Sequence, residues 1–189
     1  MFFTNWKKEL FTIPNLLSLF RLALIPVYMT VYLEGHYYPA GAILALSCLT
    51  DLLDGWIARR FDLVTEVGKL LDPLADKVTQ LSLAVCLSLR YPIMEPVVLL
   101  LAAKEAFQLA AALYHLRRGK ILSQALLPGK ICTAVLFLSL TALVLLPEMP
   151  ASMVNFLALT DLAALSLSFL SYVHAYFGRD TAQFLQDLE

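Results

Sequence analysis

The chain has 189 residues, of which 60% are hydrophobic and only 15% are charged, and its formal net charge is −1 at pH 7. Soluble domains carry roughly 45–50% apolar and 25% charged residues, so this composition excludes an ordinary soluble domain, and it also excludes a disordered chain. The small net charge excludes a nucleic-acid-binding protein that depends on bulk positive charge. We therefore predict an all-helical integral membrane protein.

Apolar stretches long enough to cross a bilayer recur along the chain, since a spanning helix needs about 20 mostly apolar residues. The six predicted spans are 12–33, 39–59, 68–89, 94–116, 129–146 and 152–177. We expect them to form one polytopic domain over 12–179. Residues 1–11 mix aromatic with charged side chains, which predicts a short amphipathic helix on the membrane surface. Residues 180–189 are predicted to be a short polar tail.

Lysine and arginine fall almost entirely on one side of these spans. The basic residues of that side are Lys7, Lys8, Arg59, Arg60, Lys69, Arg117, Arg118, Lys120, Lys130 and Arg179. The opposite side holds only Arg90. The positive-inside rule therefore predicts that both termini and the second and fourth loops are cytoplasmic. The sequence has no arginine-rich transit peptide, which favours a bacterial inner membrane.

Four carboxylates lie in or beside the second and third predicted spans, where each costs about 2.5–3.5 kcal/mol at the bilayer centre. Asp51 and Asp54 are three residues apart, and Asp72 and Asp76 are four apart, so each pair shares one helix face. A short loop joins the two spans into an antiparallel hairpin. Both pairs should therefore face each other near the cytoplasmic surface.

Convergent carboxylates are typical of a site for a hard divalent cation such as Mg²⁺, Mn²⁺ or Ca²⁺. Two such ions can clamp the attacking and leaving oxygens of a phosphoryl transfer. The small residues Gly55, Ala58 and Gly68 allow helices or a flat ligand to approach closely, and Arg59 can hold a phosphate through two hydrogen bonds. Two alternatives remain at this point: a packed hairpin whose acids pair with nearby basic side chains, and a cation or proton pathway.

The same residues form a motif. DxxDGxxAR begins at Asp51, and GxxxDxxxD follows after eight residues, from Gly68 to Asp76. At these positions the sequence resembles the CDP-alcohol phosphatidyltransferase family. The resemblance covers nearly the whole chain. It implies a metal-dependent membrane enzyme of phospholipid biosynthesis that transfers the phosphatidyl group of CDP-diacylglycerol to a hydroxyl acceptor and releases CMP.

The resemblance also implies roles for the motif residues. Asp51, Asp54 and Asp72 would ligate two divalent ions, Mg²⁺ or Mn²⁺, that bridge the pyrophosphate. Asp76 would lie beside them as a further metal ligand and as the general base on the acceptor hydroxyl. The residues expected to line the CDP pocket are Gly55, Ala58, Arg59, Gly68 and Asn15.

The acceptor is indicated by two segments, 13–21 and 71–77, which resemble phosphatidylglycerophosphate synthases and the related cardiolipin synthases. They imply glycerol-3-phosphate as the acceptor, with phosphatidylglycerol as the alternative. The candidate cations for an acceptor phosphate are Arg21, Lys77, Lys104 and Lys130. Lys104-Glu105 stands where these synthases usually carry Arg-Glu, and this change weakens a bidentate phosphate contact.

Three further expectations complete the prediction. A divalent-cation or proton carrier is the competing class of protein. The resemblance implies a homodimer embedded among membrane lipids, and the net charge of −1 predicts no nucleic-acid partner. Asp161, near the middle of the sixth span, is expected to be a helix-packing or subunit-interface partner rather than a catalytic residue.

Overall fold

The computed structural model describes residues 12–61, 65–117 and 127–186 of the chain. These residues form α-helices joined by short turns, together with a single 3₁₀ turn, Pro92–Met94, and no strand occurs among them. The six α-helices are α1 Ile13–Leu33, α2 Tyr37–Arg60, α3 Glu66–Arg90, α4 Glu95–Arg117, α5 Leu127–Leu145 and α6 Ala151–Gln186. The all-helical fold class is therefore confirmed. The predicted surface helix over 1–11 lies outside the described residues.

Within the described part of the chain, four helices are long and apolar enough to cross a membrane. They are α1, residues 37–57 of α2, α5 and residues 151–176 of α6. Large apolar side chains such as Leu16, Phe20 and Leu138 are exposed on these helices, as expected where lipid rather than protein surrounds them. This is a membrane protein, while the count of six spans stays a prediction.

Local sequence explains the boundary between α1 and α2 and the start of α3. Gly35 separates α1 from α2 with φ +85°, a conformation that residues with a side chain rarely adopt. Thr65 precedes α3, and its Oγ1 accepts a hydrogen bond from the backbone nitrogen of Gly68 at 3.0 Å, which is the geometry of a helix N-cap. α6 continues nine residues beyond its predicted end at 177, as far as Gln186.

The chain divides into two compact units. The first comprises the described residues of 1–87 together with 140–148, and the second comprises the described residues of 88–139 and 149–189. In the first unit, α1 packs along α2. Tyr28 and Tyr32 of α1 and Leu44 of α2 belong to its buried core.

In the second unit, α4 packs against α6. The ring of Phe107 meets Phe169 and Tyr176 edge to face, with centroids 5.4 and 5.8 Å apart. Ser139 of α5 donates a hydrogen bond of 2.8 Å to Oδ2 of Asp161, which is fully buried in α6. Asp161 thus joins two helices, in agreement with the packing role expected for it.

Candidate active site

One face of α1 is polar although the helix is otherwise apolar. Asn15, Ser18 and Arg21 follow one another at intervals of three residues, so they lie on the same side of the helix. Their exposed fractions are 1%, 0% and 2%. Because polar groups are buried only where they have partners, this face must be satisfied by neighbouring helices.

Arg21 joins α1 to both helices of the predicted hairpin. Its Nη2 lies 2.5 Å from Oδ1 of Asp51 and 2.5 Å from Oδ2 of Asp54, both on α2. Its Nη1 lies 2.6 Å from Oδ1 of Asp76 on α3. The planar guanidinium offers several donors in a fixed fork, which allows a single side chain to serve three carboxylates.

Ser18 makes the equivalent connection one turn earlier. Its hydroxyl lies 2.6 Å from Oδ1 of Asp72 and 3.3 Å from Oδ2 of Asp54. A hydroxyl has one proton to donate, and the shorter distance favours Asp72 as the acceptor. Arg21 and Ser18 together therefore bring all four motif carboxylates to one place in the first unit. We call these four residues the carboxylate cluster.

The side chains of the carboxylate cluster differ in how far they are exposed. The side chain of Asp54 is 6% exposed, whereas those of Asp51 and Asp76 are 44% and 53% exposed. A ligand can therefore reach Asp51 and Asp76 directly. Asp54 is the most buried of these three carboxylates, and it contacts Arg21 of α1.

The chemistry of this donor set fits a divalent cation. Carboxylate oxygens are the ligands that Mg²⁺ and Mn²⁺ prefer, and those of the cluster share common partners in Arg21 and Ser18. In the arrangement described here, no three His, Cys, Asp or Glu side chains among the described residues surround one ion-sized position. The guanidinium of Arg21 lies against three of the carboxylates instead.

Gly68 marks the closest approach between α1 and α3. A Cβ atom at this position would lie 2.6 Å from Oδ1 of Asn15 and 3.1 Å from Oγ1 of Thr65. Asn15 also donates a hydrogen bond of 2.9 Å from Nδ2 to the same Thr65 oxygen. A side chain at the motif glycine would therefore force the Asn15 amide to move and disturb its hydrogen bond to Thr65.

Of the three other residues predicted for the CDP pocket, the structure describes the surroundings of Gly55 alone. Gly55 lies in α2, one residue after Asp54, and is partly exposed. The side chains of Ala58 and Arg59 lie outside the described part of the structure.

The predicted acceptor cations belong to different parts of the molecule. Arg21 contacts the carboxylate cluster, and Lys77 is exposed on α3 directly after Asp76. Lys104 belongs to the second unit, where it is 3% exposed and its Nζ lies 2.7 Å from Oε1 of Glu105. Lys130, also in the second unit, is exposed near the start of α5.

Ser18 is the functional candidate that the sequence analysis missed. The spacing of Asn15, Ser18 and Arg21 could have indicated a role for Ser18, because residues three apart form one polar stripe on an apolar helix. A stripe of that kind in a membrane segment indicates polar partners on neighbouring helices.

Residues 11–173 match the model of the CDP-alcohol phosphatidyltransferase family, and this segment contains the whole carboxylate cluster. The chain belongs to the CDP-alcohol phosphatidyltransferase family. The motif residues that Arg21 and Ser18 bring together are thus part of a CDP-alcohol phosphatidyltransferase domain that covers most of the chain.

Relatives that act on different acceptors by name are among the proteins that this chain resembles. The CDP-diacylglycerol–glycerol-3-phosphate 3-phosphatidyltransferase of Bacillus subtilis is 31% identical over 88% of this chain and 93% of its own length. The Aquifex aeolicus protein of the same name is 47% identical over 66 residues, which are 35% of this chain and 37% of that protein. The CMP-forming cardiolipin synthase of Rattus norvegicus is 40% identical over 54% of this chain. The match spans only 34% of the rat protein.

Proposed function

We propose that this protein transfers the phosphatidyl group of CDP-diacylglycerol to the hydroxyl of glycerol-3-phosphate and releases CMP. The observation that carries the proposal is the carboxylate cluster, in which two buried side chains of α1 gather all four acids of the family motif. The Bacillus subtilis relative, aligned over 93% of its length, supports glycerol-3-phosphate as the acceptor.

We propose that the reaction depends on divalent metal ions held by the carboxylate cluster. Asp51, Asp54, Asp72 and Asp76 would hold two Mg²⁺ or Mn²⁺ ions. When bound, such ions neutralise the charge that develops on the phosphates during the displacement. Carboxylates drawn from two adjacent helices suit this role, because their positions relative to one another are fixed by helix packing.

Asp76 is the proposed general base. It is the most exposed of the three carboxylates that contact Arg21, with 53% of its side chain accessible to a soluble acceptor. It would take the proton of the acceptor hydroxyl as that oxygen bonds to the phosphatidyl phosphorus. The bond from this phosphorus to the bridging oxygen breaks, and its electron pair leaves with CMP.

Further residues are proposed to bind the nucleotide and the acceptor. Asn15, Gly55, Ala58, Arg59 and Gly68 are proposed for CDP. Basic side chains are proposed for the acceptor phosphate, because a phosphate needs cationic donors. The candidates are Arg21, Lys77, Lys104 and Lys130.

A cardiolipin synthase is the second candidate, favoured by the 40% identity to the rat enzyme over 104 residues. Its acceptor would be phosphatidylglycerol, a lipid, instead of a soluble phosphate ester. In either case we propose a homodimer in a bacterial inner membrane, with both termini and the active site cytoplasmic. This orientation gives CDP access from the cytoplasm while the acyl chains stay in the bilayer.

The deciding experiment measures CMP release by the purified protein with CDP-diacylglycerol and Mg²⁺, followed by mass spectrometry of the lipids. One reaction contains glycerol-3-phosphate and the other contains phosphatidylglycerol. We expect CMP and phosphatidylglycerophosphate only in the first reaction. Release only with phosphatidylglycerol would identify a cardiolipin synthase. Divalent-cation flux across vesicles, with no CMP release in either reaction, would identify a carrier.

A matched pair of variants assigns the chemistry to the carboxylate cluster. Asp76→Asn should reduce CMP release at least about 100-fold, a loss expected when a general base is removed, while CDP-lipid binding is retained. Glu34→Gln, an equivalent change at the exposed end of α1, should leave the rate unchanged. Near-normal turnover by Asp76→Asn would refute its role as the base.

A further inference from the structure

Arg21 lies where the proposed function requires divalent cations. Its side chain is only 3% exposed, and its two terminal nitrogens lie 2.5–2.6 Å from oxygens of Asp51, Asp54 and Asp76. These acids come from both α2 and α3, whereas Arg21 comes from α1. A single cation thus links three helices at the centre of the carboxylate cluster.

Charge explains why a cation must be there. Removing one partner of a buried ion pair is strongly unfavourable because it leaves an uncompensated charge. Ser18 gives the cluster a neutral donor at Asp72, but among the contacts described above Arg21 supplies the positive charge to the other three acids. Without it, the like charges of these carboxylates would repel one another.

A guanidinium held at these oxygens opposes the binding of a divalent ion to the same oxygens, because both carry positive charge. Mg²⁺ binds carboxylate oxygens at about 2.0–2.1 Å, and a positively charged nitrogen 2.5 Å from those oxygens would repel it. Oδ1 of Asp51 and Oδ2 of Asp54 both contact Nη2 of Arg21. Binding of a divalent cation to these oxygens therefore competes with Arg21.

We propose that Arg21 is a built-in counter-cation: it holds the carboxylate cluster together, and it competes with a divalent cation for the same carboxylate oxygens. The inference rests on the proposed function, because it uses the same carboxylates as metal ligands. It adds that metal binding changes the partners of a buried side chain on α1. Metal affinity is therefore lower than the carboxylates alone would give.

The first test titrates Mn²⁺ into metal-stripped protein and follows free Mn²⁺ by electron paramagnetic resonance. Arg21→Met removes the competing guanidinium, so the affinity of this variant for Mn²⁺ should rise about tenfold. A change of this size is usual when two binding events are coupled. The melting temperature of this variant without metal should be several degrees below that of the natural protein, and saturating Mn²⁺ should close this gap. Arg60→Met removes one charge from an exposed position at the end of α2 and should change neither quantity.

The second test needs no variant and so does not depend on how Arg21→Met folds. The natural protein is treated with phenylglyoxal, which modifies accessible arginines, and the modified peptides are measured by mass spectrometry. Arg21 should be protected in metal-free protein and modified several times faster when Mn²⁺ is added. The exposed Arg60 serves as the internal reference, with equal rates in both conditions.

The outcomes separate this inference from the proposed function. Metal-dependent CMP release with Mn²⁺ affinity unchanged in Arg21→Met would overturn the inference and leave the proposed function intact. Weaker Mn²⁺ binding by Arg21→Met, or an Arg21 that stays protected with Mn²⁺, would also overturn it. Absence of Mn²⁺ binding by both natural protein and variant would contradict the metal site and the inference together.

Discussion

At the scale of single residues, the hydroxyl of Ser18 should control the carboxylate cluster without reacting itself. It is fully buried and donates at 2.6 Å to Oδ1 of Asp72. Side chains that orient metal ligands typically change metal affinity or activity 10–100-fold when they are removed. We therefore expect Ser18→Ala to weaken Mn²⁺ binding by at least about tenfold, measured with the same titration of free Mn²⁺.

Ser171→Ala is the matched control for this substitution. Ser171 belongs to the second unit and donates a hydrogen bond of 2.7 Å to the carbonyl of Leu167, so the substitution removes a hydroxyl whose described bond stays within its own helix. It should leave Mn²⁺ binding unchanged. Equal affinities for the Ser18 and Ser171 variants would show that Ser18 only packs α1 against its neighbours.

At the scale of helices, the contact between α1 and α3 depends on Gly68. A Cβ there would lie 2.6 Å from Oδ1 of Asn15, and this amide is held by its bond to Thr65. Forcing extra atoms into a packed contact costs about 1–3 kcal/mol, which outweighs the gain of up to about 1 kcal/mol from better helix propensity. Gly68→Ala should therefore lower the melting temperature in detergent, followed by intrinsic fluorescence.

Gly41→Ala tests the same substitution at a glycine whose nearest neighbouring atom can move aside. Its Cβ would first meet Cδ2 of Leu145 at 3.3 Å, and this is the end of a flexible side chain that can move by a few tenths of an ångström. The melting temperature should stay the same or rise, because alanine favours the helix. A Gly68→Ala protein as stable as Gly41→Ala would contradict the steric role of Gly68.

The hydrogen bond between Ser139 and Asp161 should stabilise the pairing of α5 and α6 rather than contribute to catalysis. Both side chains are buried, and they meet at 2.8 Å. Such bonds between membrane helices are worth about 0.6–1.7 kcal/mol in double-mutant cycles. Thermal unfolding of Ser139→Ala, Asp161→Ala and the double variant should give a coupling energy in this range. Loss of CMP release in well-folded Asp161→Ala would instead implicate Asp161 in the reaction.

The helices themselves could be predicted closely because apolar runs end where turn-forming residues begin. α2 and α3 extend only about two residues beyond their predicted spans, and Gly35 and Pro92 interrupt the neighbouring segments. The end of α6 was predicted too early, at 177, because a span ends where the apolar run ends. A helix, in contrast, can continue into polar residues that favour it.

The partners of Arg21 could not be predicted in the same way. Asp54 and Asp76 are 33 and 55 residues away in the sequence, and the rotation of α1 about its axis is decided by packing. The motif predicted that the four acids would meet, since both pairs lie in adjacent spans. It held no information about the residue of α1 that would reach them.

At the scale of the whole molecule, orientation in the membrane is the property to measure. We expect the turn at Glu34 to face away from the cytoplasm and the loop that begins at Phe61 to face it, because lysine and arginine concentrate on the latter side. Both residues are exposed, the natural cysteines Cys86 and Cys132 are buried, and the partly exposed Cys48 is replaced by serine in both variants. In intact cells an impermeant maleimide should therefore label Glu34→Cys but not Phe61→Cys. The reverse pattern would place the carboxylate cluster on the other side.

The position of Arg21 on α1 has a consequence for biosynthesis. Ribosomes make α1 before α2 and α3, so the cation enters the translocon ahead of the carboxylates that it will contact. We therefore expect each acid to be inserted after Arg21, so that pairing with this cation reduces the cost of taking the acid into lipid. The order of the helices along the chain is thus also an order of charge neutralisation during insertion.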